Sequence, residues 1–276
     1  IIGVRSFGEQ KEVVTSHSLA LMEGMQSSGI MANAKHFPGH GDTDSDSHKT
    51  LPTISFTKER IDSLELFPYK SLFSKGLSSV MVAHLNVPSL DDRSNYPSSL
   101  SYPIVTELLK KRLGFKGLIF TDALDMKGVS NFSNSGKVDL QAFLAGNDVI
   151  LMSLDVGQGI RTLEKAVKSG DVSRERLAHS VKKILSAKYK VGLANYKPVD
   201  TNNLIPELNR QEDNVLYQNL MENAITLVKN KNNILPLKNL DLCKIAYVNM
   251  GSADASPFVK SLKKYTRVDE VSANNL

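Results

Sequence analysis

The sequence predicts an α/β protein in two parts, and three observations carry that expectation. Short strand-like apolar runs alternate with amphipathic, helix-like stretches through about residue 191. Glycine and proline punctuate the joints between them, and side chains able to move protons recur directly after the apolar runs. Repeated strand-then-helix order implies parallel strands joined by helical crossovers. An open doubly wound sheet and a (β/α)8 barrel both satisfy it.

The runs lie at residues 1–4, 31–35, 79–83, 117–121 and 148–152. Between the first two, residues 9–28 follow a helical pattern that stops at Gly29. Thr57 is placed to cap residues 58–75, and Pro103 opens a helix that ends near Gly114, since a first-turn proline gives up no helical hydrogen bond. Ser173 caps a segment running to Val191 before Gly192. The polar residues favour the barrel. Lys35 and His36 follow the second run, His84 the third, Asp122 the fourth and residues 153–155 the fifth, so reactive groups would gather at the C-terminal ends of several strands. A dinucleotide-binding sheet needs G-x-G-x-x-G after a strand, and the sequence has none. The expected fold for residues 1–192 is therefore the C-terminal part of a (β/α)8 TIM-like barrel, its N-terminal part missing because the visible units are too few to close it.

Past Gly192 the composition changes. Residues 193–211, rich in Asn and Pro and without periodicity, read as a linker. Residues 212–224 look helical, 225–229 extended and 230–233 a turn, while 245–249 form a buried strand leading into Gly251 and a helix at 257–265. Residues 212–276 thus read as the start of a second α/β sandwich domain, truncated at Leu276.

With 276 residues, 41% of them hydrophobic, the chain can bury a full core. No apolar stretch approaches the roughly 18 residues of a membrane span. The opening Ile-Ile-Gly-Val-Arg reads as an internal strand, not a leader, so upstream sequence is expected. The net charge of +5 is spread over helical faces with short clusters such as Lys110-Lys111-Arg112. No aromatic-basic motif accompanies it, which argues against a nucleic-acid partner; a basic surface suits an anionic polymer such as a cell-wall glycan. The lone Cys243, in an apolar run, reads as a core residue and excludes an intrachain disulfide framework.

Chemistry is concentrated in residues 35–48, Lys-His-Phe-Pro-Gly-His-Gly-Asp-Thr-Asp-Ser-Asp-Ser-His. Pro38-Gly39 and His40-Gly41 break regular structure, leaving imidazoles and carboxylates on a loop where protons exchange near neutral pH. Two readings stand beside proton transfer. One is a metal site, though Pro38 and Gly39 spoil the helical spacing of His36 and His40; the other is a polar loop with a structural role alone. Asp122 is either a carboxylate aimed from a strand end or an N-cap for the segment that follows. Asp125, one turn further on, is the competing carboxylate and is expected to be exposed or to support the site.

The segment Lys35-His36-Phe37-Pro38-Gly39-His40-Gly41, with Asp46-Ser47-His48, resembles the signature of family 3 glycoside hydrolases of the β-N-acetylglucosaminidase subgroup. The stretch from Phe120 to Gly128, Phe-Thr-Asp-Ala-Leu-Asp-Met-Lys-Gly, is similar to that family's nucleophile segment. Arg5 in Gly-Val-Arg-Ser-Phe, His84 in Met-Val-Ala-His, and Glu222 onward with Leu235-Pro236-Leu237 extend the similarity over most of the chain.

The resemblance implies a retaining exo-glycosidase acting through a covalent glycosyl-enzyme. It assigns Asp122 as nucleophile, His48 as acid/base and Asp46 as its partner; Lys35, His36, Arg5 and His84 would line the sugar subsite, with Lys35 a buried cation in need of partners. A further sugar-binding aspartate of the family would precede residue 1. The implied substrate is a GlcNAc-containing glycan or muropeptide, with no metal or organic cofactor. A bacterial cell envelope, periplasm or secreted location is favoured over the cytoplasm. The expected assembly is a monomer or an oligomer of unspecified order. Rival readings are β-glucosidase, β-xylosidase or phosphorylase activity, and a glycan-binding module without catalysis.

Overall fold

In the computed structural model, residues 6–43, 50–250, 254 and 256–272 are described, and they divide into two compact units, Ile1–Lys197 and Pro198–Leu276. The expected first run, and with it Arg5, lies outside the described residues, as do Asp46 and His48.

The first unit is built on three parallel strands in the order β1 (Asn33–Phe37), β2 (Ser79–Val82), β3 (Leu118–Thr121). Helices cover them, so β2 and β3 are buried on both faces, as strands of a parallel sheet must be. Val80, Val82 and Ile119 are fully enclosed, with Phe37, Ile61, Leu66 and Leu109 around them. Helix α1 (Lys11–Ser27) precedes β1, and the crossover from β1 to β2 ends in α2 (Phe67–Ser74). The expected continuous helix over 58–75 is interrupted. Thr57 does cap it, accepting the Arg60 N–H, but the chain then widens into a π-wound turn, Ile61–Glu65, and restarts at Phe67 because Pro68 has no N–H to continue the ladder. The helix opened by Pro103, α3 (Pro103–Arg112), is π-wound throughout.

After β3 come α4 (Ser135–Ala145), α5 (Val156–Ser169) and α6 (Arg174–Lys190). Helices α4 and α5 pack through glycine: a Cβ on Gly136 would stand 2.4 Å from Thr162 Oγ1. Ser173 caps α6 by accepting the Arg176 N–H at 3.0 Å, as expected. The fifth run departs from expectation. Val149 bridges Phe120 in parallel, but the ladder stops there, because the Thr121 hydroxyl takes the Leu151 N–H (3.0 Å) and Met152 turns to a positive φ of 46°.

The second unit contains helix α7 (Gln211–Ala224) and a parallel pair, β4 (Ile245–Asn249) and β5 (Val268–Ser272), connected through α8 (Ser256–Leu262). Strand β5 was not expected from its short, polar sequence. Residues 225–229 form no strand, and the expected linker holds a short helix, Leu204–Leu208. Cys243 is half-buried rather than enclosed, its thiol 3.5 Å from the Lys238 carbonyl.

Candidate active site

The sheet hydrogen bonds continue one residue past each strand and align three chain ends. Ala83 N–H donates to Phe37 O (2.9 Å) and Asp122 N–H to Val82 O (2.8 Å), so His36, His84 and Asp122 come from adjacent strands at one edge. Asp122 is 13% exposed at its side chain, which leaves part of the carboxylate open. Its Oδ1 accepts the Ala123 N–H at 2.9 Å, and its Oδ2 lies 3.7 Å from His36 Nε2. Met126, not Asp122, sits at the N-cap position of the short helix that follows.

His36 reaches Asp122 because β1 is bulged. Ala34 pairs with Val80 and Phe37 with Val82, so three steps along β1 match two along β2, and the extra residue re-aims the side chains between. Lys35, in the same bulge, is exposed, not the buried cation expected. A residue at the open end of a strand can leave its ammonium in water and so avoid the cost of desolvation.

His84 is fully buried behind the segment that starts at Asp122. Its Nε2 lies 2.9 Å from the Ala123 carbonyl, which can only accept, so Nε2 carries the proton. Nδ1 of the neutral ring then accepts from Ser99 Oγ at 2.6 Å. Burial pushes the imidazole pKa down, against the opposing pull of the Ala123 carbonyl and the charges of Asp122 and Asp125. Both ring nitrogens are thus committed to protein, and His84 holds the backbone beside Asp122.

The loop after β1 folds back on the site. His40 is buried, with Nδ1 2.9 Å from Thr43 Oγ1, and its ring meets His36 edge-on at 5.8 Å. Asp125 is exposed. Residues 153–155 do not join the cluster: Ser153 Oγ donates to Asp139 Oδ2 (3.1 Å) and Asp155 caps α5 by accepting the Gln158 N–H (2.9 Å). Ser99 was missed in the sequence; its one signal is a serine pair beside apolar positions after Pro97. Among the described residues no group of three or more His, Cys, Asp or Glu is arranged to hold a metal, and no helix is long and apolar enough to cross a membrane.

Several known proteins resemble this chain in sequence or in architecture. A beta-hexosaminidase A from Pseudoalteromonas piscicida is 32% identical over 87% of this chain and 42% of its own length. A beta-N-acetylglucosaminidase/beta-glucosidase from Cellulomonas fimi is 26% identical over 86% of this chain and 43% of its own. The structure of a family 3 beta-N-acetylglucosaminidase from Paenibacillus sp. str. FPU-7 superposes with a TM-score of 0.80 at 32% identity, over 99% of this chain and 53% of that one. The chain therefore spans about half the length of these relatives. Residues 1–187 match the glycosyl hydrolase family 3 N terminal domain, and with strand-end carboxylate, bulged histidine and parallel βα units in place, the chain belongs to glycosyl hydrolase family 3.

Proposed function

We propose that this chain carries the catalytic side chains of a retaining exo-β-N-acetylglucosaminidase that releases terminal β-linked GlcNAc from cell-wall fragments. The observation that carries the reading is the Asp122 carboxylate. Its Oδ1 accepts the Ala123 N–H while Oδ2 lies beside His36 in a side chain that keeps 13% exposure, which suits attack by one oxygen. The names of the relatives support the amino-sugar substrate.

In the first step Asp122 Oδ2 attacks the anomeric carbon, the glycosidic C–O bond breaks, and His48 gives its proton to the departing oxygen. A glycosyl ester on Asp122 and a free alcohol result. In the second, His48 takes a proton from water, the water oxygen attacks the anomeric carbon, and the ester bond breaks with net retention. Asp46 orients the imidazole and stabilises its cation. Lys35, His36 and Arg5 bind sugar hydroxyls, His84 supports the nucleophile's backbone, and no metal takes part. Residues 212–276, after a linker over 193–211, would form the start of a second α/β domain.

A mechanism-based fluorosugar should label the peptide holding Asp122, and Asp122→Ala should abolish both labelling and turnover with an unchanged circular dichroism spectrum. Labelling at Asp125 would overturn the assignment. His48→Ala should lose about 10²-fold to 10⁴-fold in kcat/KM on sugar leaving groups and far less on dinitrophenyl glycosides; equal losses on all would remove His48 from the acid/base role. The mixed name of the Cellulomonas fimi relative favours a second reading, glucoside hydrolysis, which aryl β-glucosides in the same assay test.

A further inference from the structure

We propose that Glu65 is a positioning residue for this site, acting through Gly39 and His40 on the His36–Asp122 pair; the proposal rests on Asp122 being the nucleophile. Glu65 closes the π-wound turn Ile61–Glu65 and runs against the Pro38-Gly39 turn. The approach is so close that a Cβ on Gly39 would stand 2.7 Å from Glu65 Cγ, and Gly39 has a φ of +141° that only glycine adopts freely. No other residue at 39 allows both the turn and the contact.

Glu65 is also tied sideways. Its Oε1 accepts from Arg60 Nη1 at 2.5 Å, and Arg60 Nη2 reaches Asp42 Oδ2 at 3.4 Å while its guanidinium lies over the Phe56 ring at 4.7 Å. The loop is thus held at Gly39 and at Asp42, and His40 stands between the two. His40 meets His36, and His36 faces Asp122 at 3.7 Å. This chain of contacts runs from the Glu65 carboxylate to Oδ2 of Asp122.

A carboxylate is a costly choice for that position. Glu65 Oε2 is buried with no hydrogen-bond partner among the described residues, whereas an apolar side chain would fill the space without desolvating a polar atom. What an apolar residue could not do is hold Arg60 toward Asp42. Glu65 therefore supplies packing under Gly39 and an anchor for Arg60 in one side chain. π-wound turns of this kind recur beside functional sites.

The test compares Glu65→Ala and Glu65→Gln in the full chain. Glutamine keeps the contact with Gly39 and a hydrogen bond from Arg60; alanine loses both. With ring-labelled histidine, the His36 and His40 resonances should move in Glu65→Ala while those of His84 and His179 stay, and Glu65→Gln should stay close to wild type. For an aryl β-N-acetylglucosaminide, kcat/KM of Glu65→Ala should fall about 10-fold to 100-fold, the scale of a small misplacement of reacting groups, with rescue by glutamine. The resonances read positioning without turnover, so a wild-type chain inactive on every aryl glycoside counts against the functional reading and leaves the resonance comparison to decide this one. Unmoved His36 resonances in Glu65→Ala overturn the proposal. So does a lowered Tm with wild-type resonances and kcat/KM, which would make Glu65 a fold residue only.

Discussion

His84 shows how a residue can be found in sequence and its task still lie elsewhere. Its position after an apolar run was legible, as were Asp122 and His36, because each stands at or just past the C-terminal end of a strand in a parallel sheet. Its commitment to Ser99 and to the Ala123 carbonyl was not, since a side chain fifteen positions on and a backbone group decide it. The lowered pKa has a consequence for stability. The unfolded chain binds a proton at His84 below the ordinary imidazole value of about 6.5, and the folded chain does not, so stability is full above that value and falls as pH drops through it toward the folded pKa. Urea midpoints of the wild type should decline over this window, and His84→Gln should decline less steeply. Parallel curves would mean that His84 protonates as readily folded as unfolded.

At the scale of elements, order was legible and winding was not. The parallel pairing of β1, β2 and β3 follows from alternating runs. The bulge in β1 does not, because residues 33–37 look the same in sequence whether or not one of them is extra; only the register with β2 reveals it. The π-wound turn and the restart at Phe67 likewise depend on a proline that also fits inside a first turn. Caps were legible where a short polar side chain precedes an amphipathic stretch, as at Thr57 and Ser173. Asp155 was read as reactive for being polar after a run, although its geometry is that of a cap. Asp155→Ala should therefore cost about 1 kcal/mol of stability and leave kcat/KM unchanged. A loss of activity without a shift in the unfolding midpoint would return Asp155 to the site.

For the whole first unit, an ion pair at the enclosed Asp148 carboxylate matters to stability. Asp148 has a fully buried side chain that accepts from Ser180 Oγ (2.6 Å) and the Ile119 N–H (3.1 Å) and pairs with Lys183, with Arg176 3.9 Å away. Burial alone would raise its pKa; the hydrogen bonds of Lys183 and Ser180 and the charges of Lys183 and Lys110 outweigh it and hold the carboxyl below its ordinary value. A depressed carboxylate contributes stability above the unfolded value of about 3.9, which is lost as pH falls through the folded one. The acid limb of the unfolding curve should therefore be shallower in Asp148→Asn, which should also be less stable at neutral pH. An unchanged limb would place the acid sensitivity in other carboxylates.

That same ion pair sets rules for cutting and splicing the chain. Asp148 follows β3 while Ser180 and Lys183 belong to α6, so a crossover point between them in a chimera with a relative puts the carboxylate and its counter-charge under different parents. A breakpoint before residue 148 or after residue 183 keeps them together. Fragments that end within α6 short of Lys183 would strip the buried Asp148 of its hydrogen-bonded lysine and leave it only the more distant Arg176 and Lys110, so the shortest piece of the first unit expected to express in soluble form should run through that lysine.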